Sequence, residues 1–511
     1  CMYAIKDSMI AKEHAGGELD CVVFNMDIRT FGKDYEKYYN RAKDAGIRFV
    51  KSRIHSLDEV FETGAIRLRY MDDAGGLQVE DFDMVILSVG LQVPESIADL
   101  AGRLEVELDD NNFAVTHPFA PIETSRPGVY ACGVFQGPKD IPSSVMEASA
   151  AAGLAGASLV EARNTLTKSV EMPAEIDVAD QEPRIGVFVC HCGINIAGVV
   201  DVEDVEAYAK TLPHVVYAGR NLFSCSQDSQ ELIKEVISEQ GLNRVVIAAC
   251  TPKTHEPIFQ DTMEKCGINK YLIEMANIRN QDSWVHSETP ADATQKAKEL
   301  VRMAVARAAT LYPLQEKMIS VIQSALVIGG GVAGMNAALG LADQGFEVFL
   351  VEKEELLGGL AHRLTATIEG ENIGSYLQTL IQKTDAHPNI QVLTQSLVVG
   401  FSGFKGNFTT ELLVGPGMYA RKIEHGAVIL ATGAGEYRPQ EFLYGENEQV
   451  MTQLEIADRL EKKGAADLEQ VVMIQCVGSR NEENPNCSRI CCQTAIKNAL
   501  HIKKDNPQAE V

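Results

Sequence analysis

Basic residues are scarce in this chain: 511 residues carry 46 Lys and Arg against 71 Asp and Glu, a formal charge of −25. Such a balance, with a pI near 4.9, leaves no broad positive footprint for phosphate backbones or anionic lipid, so no nucleic-acid partner is expected. No export signal is expected from the opening residues either, since Cys1-Met2-Tyr3-Ala4-Ile5-Lys6 is not a basic segment followed by an apolar core. A cytoplasmic protein is expected. No long apolar run is free of interruption either. The best candidate, Ser324 to Ala342, contains Gly329, Gly330, Gly331, Gly334 and Gly340, and reads as a buried strand, turn and helix rather than a membrane span. Two motifs are absent as well: there is no C-x2-C-x2-C-x3-C-P ferredoxin run and no second G-x-G-x-x-G.

Cysteine, by contrast, is plentiful. The chain has 12, in two uneven groups: Cys190, Cys192, Cys225 and Cys250, then Cys476, Cys487, Cys491 and Cys492. In a reducing compartment such groups point to metal ligation before disulfides. Cys21, Cys132 and Cys266 stand apart and read as small buried side chains.

The length exceeds what one hydrophobic core usually supports. A linker rich in proline and acid, Ser169 to Pro183, and a second joint near Pro313 separate three segments, 1–165, 183–312 and 322–511. In the middle one, RIGVFVC, HVVYAG and RVVIAAC are short apolar strands divided by amphipathic helical stretches at Val202–Leu212 and Gln230–Gln240, which predicts a parallel α/β sheet. The first segment offers CVVFNMD, DMVILSVG and GVYACG as strands and a small-residue helix over Ser143–Leu159. The last offers SALVIGGG, a helix to Gly345, FEVFLVEK, and later strands at Gly426–Leu430 and Val471–Gln475. The ends also repeat each other, Cys492-Gln-Thr-Ala-Ile-Lys497 matching Cys1-Met-Tyr-Ala-Ile-Lys6. A fragment of a tandem-module protein is expected from this. The opening segment either finishes an upstream module or folds back onto Gly329–Gly433, with Cys1 near Cys492.

Gly329-Gly330-Gly331-Val332-Ala333-Gly334 spells G-x-G-x-x-G between a strand and a helix. The first glycine permits a tight turn, the second a close approach to pyrophosphate, the third tight helix packing, and the helix N-terminus offers N–H donors. Glu352 ends the next strand about 20 residues on, where an acid can accept from ribose hydroxyls. A packing turn and an ordinary strand-end acid are the bland alternatives. Four cysteines in the loop Cys476–Cys492 can close a [4Fe–4S] site, with zinc chemically open. Cys190 and Cys192, two apart, share a face in extended backbone. With Cys225 and Cys250 they are either a cluster site or buried thiols.

Gly358-Gly359 after Glu352, with Ala431-Thr432-Gly433 after a later strand, resembles the flavoproteins of the thioredoxin reductase type, which have two dinucleotide-binding domains. That resemblance implies FAD at the Gly-rich turn. Contacts are expected from Gly329, Gly331, Val332, Ala333 and Gly334, from Glu352 and Lys353, from Gly358 and Gly359, and from Ala431, Thr432 and Gly433. Val129-Tyr-Ala-Cys132-Gly133 before Ser143–Gly153 is similar to the family's flavin-capping segment, which adds Gly133, Asp140 and Ile141. Where the family has Asp after that glycine this chain has Val134, and Asp140 is the expected substitute. The strand Val471–Gln475 runs into a cysteine loop where the family seats its pyridine nucleotide, so electrons are expected to enter through a cluster.

Cys190-His-Cys192-Gly, Cys225, Ala249-Cys250-Thr-Pro, His255-Glu-Pro257, Met275-Ala-Asn-Ile-Arg279 and Trp284-Val-His286 resemble the N-terminal domain of the A subunits of heterodisulfide reductases. Cys476–Cys492 is similar to that family's cluster loop. The resemblance implies Rossmann-like FAD-binding halves flanking a separate α/β iron–sulfur domain, with cofactors FAD and [4Fe–4S] clusters. It further implies a protein that passes electrons, or bifurcates them, between FAD and clusters held by partner subunits. Donors of ferredoxin or hydrogenase type are expected, and no catalytic side chain of its own, since the disulfide is reduced on another chain of the complex. His255 and His286 read as ordinary residues and Trp284 as core. The rivals are a self-contained FAD-dependent pyridine nucleotide:disulfide oxidoreductase, which would need a Cys-x-x-Cys and a second Gly-rich turn, and a zinc-stabilised scaffold.

Overall fold

The computed structural model describes every residue except Phe31, Lys33, Asp73, Ser169 and Val170. The first two residues of the expected linker therefore lie outside the described residues, and 171–183 carries no helix or strand. The chain divides into two compact units: Asn164–Ile319, and a second assembled from Cys1–Arg163 together with Ser320–Val511.

In the unit Asn164–Ile319 four parallel strands lie in the order Ile273–Asn277, Arg244–Ala249, Ile185–Cys190, Val215–Asn221. The two central strands are buried at every residue. This is why they read as continuous apolar runs rather than as alternation. The crossover helices start where a side chain satisfies the first free N–H groups: Asp201 accepts from Glu203 and Asp204 before Val202–Ala209, and Ser226 accepts from Ser229 before Gln227–Gln240. Gly241, at φ 58°, ends the latter. Phe188, Ile185, Ile247, Ile233, Phe259 and Ile278 are almost wholly buried in one core, each contributing about 1.5–3 kcal/mol of transfer free energy.

The other unit contains a second parallel sheet, ordered Ile390–Leu393, Glu347–Val351, Ser324–Ile328, Ala427–Leu430. Helices Val332–Ala342 and Ile373–Ala386 bury Met335, Ala338, Leu377 and Leu380 with Val327 and Leu350. An antiparallel meander, Leu397–Phe404, Asn407–Val414 and Tyr419–His425, packs Leu412 and Ile423 with Leu326 and Phe349. Strand residues 326 and 327, pointing to opposite faces, feed different cores, so the sheet is covered on both sides. The segment Cys1–Arg163 supplies a parallel pair, Val22–Asn25 with Arg48–Lys51, and an antiparallel meander over Ser56–Phe82. It also supplies the helix Ile141–Ser158, which packs against Val332–Ala342. Phe119 stacks on Tyr376 with ring centroids 4.0 Å apart, the Arg163 guanidinium lies 5.4 Å from the Phe346 centroid, and Arg480 pairs with Glu36.

Three expected strands do not form. DMVILSVG, 83–90, is extended but unpaired, with Met84, Ile86, Leu87 and Val89 over 70% exposed. GVYACG keeps one bridge, Tyr130 to Glu123, and Val471–Gln475 carries no ladder, its neighbour Gln470 bridging Glu510. An apolar run becomes a strand only where an adjacent edge takes up its N–H and C=O groups along its length. GVYACG exchanges only the Ala131 N–H to Ile122 carbonyl and Thr124 N–H to Val129 carbonyl bonds with Ala120–Thr124, and Val471–Gln475 only the Val471 N–H to Glu510 carbonyl bond. Among the described residues no helix is long and apolar enough to cross a membrane.

Candidate functional site

The Gly-rich turn follows strand Ser324–Ile328 and opens helix Val332–Ala342. A Cβ on Gly329 would sit under 3.0 Å from the Ala431 carbonyl oxygen, and one on Gly334 under 3.0 Å from the Gly329 carbonyl oxygen. Only glycine allows this approach, and Gly329 also needs a φ of 110°. Gly331 is the N-cap and makes no side-chain cap. The first intrahelical bond runs from Met335 N–H to the Gly331 carbonyl at 3.0 Å, which leaves the N–H groups of Val332, Ala333 and Gly334 without an intrahelical acceptor. Positive helix dipole and free donors at a cradle too tight for any side chain fit a bound pyrophosphate.

The other signature residues converge here. Glu352 is 7% exposed, and its carboxylate accepts from Gly330 N–H at 2.6 Å and from Glu354 N–H at 2.9 Å. Gly358 N–H donates to the Gly330 carbonyl at 2.8 Å, and Gly331 bridges Gly358, with Gly359 following. Ala431 N–H donates to the Ile328 carbonyl at 2.8 Å, with Thr432 and Gly433 exposed beyond it. Lys353 is exposed and pairs with Glu354 at 3.5 Å.

Gly133 opens a short 3-10 turn, and its N–H donates to Glu147 at 2.8 Å while Lys139 pairs with the same carboxylate at 2.5 Å. Asp140 caps helix Ile141–Ser158 through Ser143 N–H at 2.8 Å and accepts from Tyr35 at 2.8 Å. The Ser143 bonds, then Tyr35, hold its carboxyl below the usual range. Both its oxygens thus already have protein donors. Ile141, in the first helical turn, is exposed.

In the unit Asn164–Ile319 the carboxyl edge of the sheet gathers four cysteines. Cys190 ends one central strand, Cys250 follows the other, Cys192 lies two residues beyond Cys190 at φ 49°, and Cys225 sits in the loop after the edge strand Val215–Asn221. Left-handed backbone at a non-glycine residue is uncommon. Cys190 and Cys250 are buried, Cys192 is half-buried and Cys225 exposed. Burial pushes the Cys250 thiol up, the Arg279 guanidinium opposes it, and Cys192 and Cys190 add to the rise. Desolvation of the sulfur, then Cys190 and Cys192, raise Cys225. Two further polar groups, which no sequence motif singled out as site residues, face this edge. Ser224 N–H donates to Cys190 Sγ at 3.4 Å while its own buried hydroxyl has no partner, and Arg279 reaches Cys192 Sγ at 3.4 Å. An orphaned hydroxyl and a guanidinium aimed at sulfur fit a negatively charged thiolate-held group. Both lie just past strand ends, and Arg279 also closes the Met275-Ala-Asn-Ile-Arg279 motif. Trp284, expected in the core, is instead 52% exposed, with the Arg279 guanidinium 4.8 Å from its ring centroid. His286 contacts Lys296 at 3.1 Å and His255 lies on helix Pro252–Lys265.

In the loop Cys476–Cys492, Cys476 has φ 61° and its Sγ lies 3.6 Å from Arg480. Arg489 N–H donates to Cys487 Sγ at 3.3 Å, and Cys491 and Cys492 open the helix Cys491–Asp505. Burial raises the Cys491 thiol, a Ser488 hydrogen bond opposes it, and Cys492, Cys487 and Cys476 add to the rise. On the same helix Lys497 donates to the Ala366 carbonyl at 3.1 Å, and burial lowers its pKa. Among the described residues no three His, Cys, Asp or Glu side chains are placed to hold a single metal ion.

Residues 323–474 match the pyridine nucleotide-disulphide oxidoreductase family, the match ending just before Cys476. The chain is 37% identical over 425 residues to the second iron–sulfur A subunit of the CoB–CoM heterodisulfide reductase of Methanopyrus kandleri, covering 65% of each. It is 37% identical over 422 residues to the A subunit of the H2:CoB–CoM heterodisulfide,ferredoxin reductase of Methanothermobacter marburgensis, covering 65% of this chain and 64% of that one. A protein of Archaeoglobus profundus, described as like the heterodisulfide reductase A subunit, is 38% identical over 355 residues, 65% of this chain and 49% of its own. The chain thus spans between about half and two thirds of the length of these relatives. Its fold is the α/β, Rossmann-like fold of FAD-binding flavoproteins, and over 65% of its length the chain is similar to the A subunits of heterodisulfide reductases.

Proposed function

We propose that this chain is the FAD- and iron–sulfur-bearing part of an oxidoreductase, relaying electrons between clusters and flavin within a heterodisulfide reductase-type complex. The observation that carries the reading is the Gly329–Gly334 cradle: free helix N–H donors, a buried Glu352 and the converging Gly358 and Ala431 lie in the same compact unit as the Cys476–Cys492 loop. FAD bound there would supply one- and two-electron chemistry, and [4Fe–4S] clusters one-electron steps. Of the chain's own residues, the turn seats the pyrophosphate, Glu352 fixes the loop and meets the ribose, and the segment around Gly133, Asp140 and Ile141 caps the flavin through the helix packed on Val332–Ala342. Cys476, Cys487, Cys491 and Cys492 would hold one cluster, and Cys190, Cys192, Cys225 and Cys250 another. Partner subunits and donors of ferredoxin or hydrogenase type complete the relay, in the cytoplasm. The names of the relatives support this, since they include heterodisulfide and ferredoxin reductases. Anaerobic reconstitution of the full chain with iron, sulfide and FAD tests the proposal. A flavin spectrum with iron and sulfide in equal amount is expected, whereas colourless protein carrying zinc would overturn it.

A further inference from the structure

We propose that Arg279 is a positioning residue for the four-cysteine site at the carboxyl edge of the middle sheet. Its fixed positive charge on Cys192 sets the reduction potential of the group held there. The inference rests on reading that site as an iron–sulfur centre.

The guanidinium is built into place. Nη1 lies 3.4 Å from Cys192 Sγ, Nε donates to Asn280 Oδ1 at 3.2 Å, and Cζ stands 4.8 Å from the centroid of Trp284. The turn beneath it, Arg279–Ser283, is a single π-helical turn, a form frequent at functional sites. Asn280 N–H ties the turn to Asn277 Oδ1 at 2.9 Å, and the Ser283 hydroxyl donates to the Asn195 carbonyl at 2.6 Å. Asn195 N–H in turn donates to the Cys192 carbonyl at 3.1 Å, so the turn and the cysteine loop are one hydrogen-bonded piece. Among the described residues no Asp or Glu oxygen comes within 4.0 Å of Arg279, although the chain carries 71 acids. Its side-chain partners are Cys192 Sγ and Asn280 Oδ1. The half-exposed Trp284, an unfavourable place for an indole, acquires a purpose as the platform that keeps the guanidinium from swinging into water.

Reducing a thiolate-held cluster adds negative charge. A cation at hydrogen-bond distance from one ligand stabilises the reduced form more than the oxidised one and raises the potential. Arginine suits the role because its charge does not titrate and its fork can touch sulfur, amide and ring face together.

The test is an EPR-monitored redox titration of the reconstituted full chain, with Cys487→Ser removing the signal of the other loop. Arg279→Gln, Arg279→Lys and Trp284→Leu are compared in that background. With iron and sulfide content unchanged, Arg279→Gln should disfavour the reduced state at least tenfold, a fall of 59 mV for a one-electron couple. Arg279→Lys should recover most of it, and Trp284→Leu should shift the same way by less. An iron-loaded Arg279→Gln protein titrating with the parent overturns the inference alone. If that variant loses its iron, an unshifted Trp284→Leu midpoint does so instead. A parent protein that takes up no iron at this site overturns the cluster reading as well.

Discussion

At the scale of single residues, the least comfortable group in the molecule is Asp282. Its side chain is fully buried, both oxygens lack a hydrogen-bond partner, and desolvation pushes its carboxyl up to about 6, with only Lys296 opposing. An aspartate in the unfolded chain titrates near ~3.9. Because the folded value is the higher one, the folded form binds more protons between the two. Stability therefore falls as pH rises from about 4 to about 6 and stays lower above that. Asp282→Asn should remove this fall, gaining on the parent by up to about 3 kcal/mol between pH 4 and pH 7. Thermal melts of both proteins across that range check it, and parallel pH profiles would count against the buried-carboxylate account. Nothing in the sequence marks Asp282. Three residues from Arg279 in an irregular turn, it shows its burial only once helix Pro290–Ala308 packs against that turn.

At the scale of elements, the cofactor signatures are local and the ligand sets are not. Gly329, Gly334 and Glu352 were legible because a strand, a turn, a helix and the next strand follow one another without a gap, and close backbone approach admits only glycine. DMVILSVG and Val471–Gln475 fail as strands for the opposite reason. Their composition is right, yet strand pairing is a property of two segments, and neither run forms a ladder with another, Val471–Gln475 meeting Glu510 only at its first residue. Helix Gln453–Lys463 is a clean local case: Thr452 and Glu455 form a reciprocal capping box, and the helix packs on Cys491–Asp505, which begins with two candidate ligands. Thr452→Ala should cost about 1 kcal/mol in urea unfolding. A loss near zero would mean that packing, not the cap, fixes where this helix begins.

At the scale of the whole molecule, the segments before Arg163 and after Ser320 form one compact unit although the other unit lies between them in sequence. The helix Ile141–Ser158 against Val332–Ala342, the Phe119–Tyr376 stack and the Arg480–Glu36 pair join them. If residues around Gly133 cap the flavin, Ser320–Val511 produced alone should hold FAD more weakly than the same fragment co-produced with Cys1–Arg163. Flavin retained through gel filtration measures this, and equal retention would remove the capping role. The end-to-end repeat between Cys1–Lys6 and Cys492–Lys497 pointed toward such an arrangement without choosing between it and a tandem neighbour.

Residue order alone was enough for the α/β class, for three of the four strands of the middle sheet with two of its helices, and for the Gly-rich turn between strand and helix with the acid that ends the next strand; strand Ile273–Asn277 and helices Pro252–Lys265 and Pro290–Ala308 were not read from it. These follow from short-range periodicity, capping and the steric privilege of glycine. It took the folded molecule to bring Cys190, Cys192, Cys225 and Cys250 to one edge with Arg279 and the orphaned hydroxyl of Ser224. Those residues are far apart in the chain, and what brings them together is the strand order of a parallel sheet, which is fixed by the packing of its crossover helices and not by any local pattern.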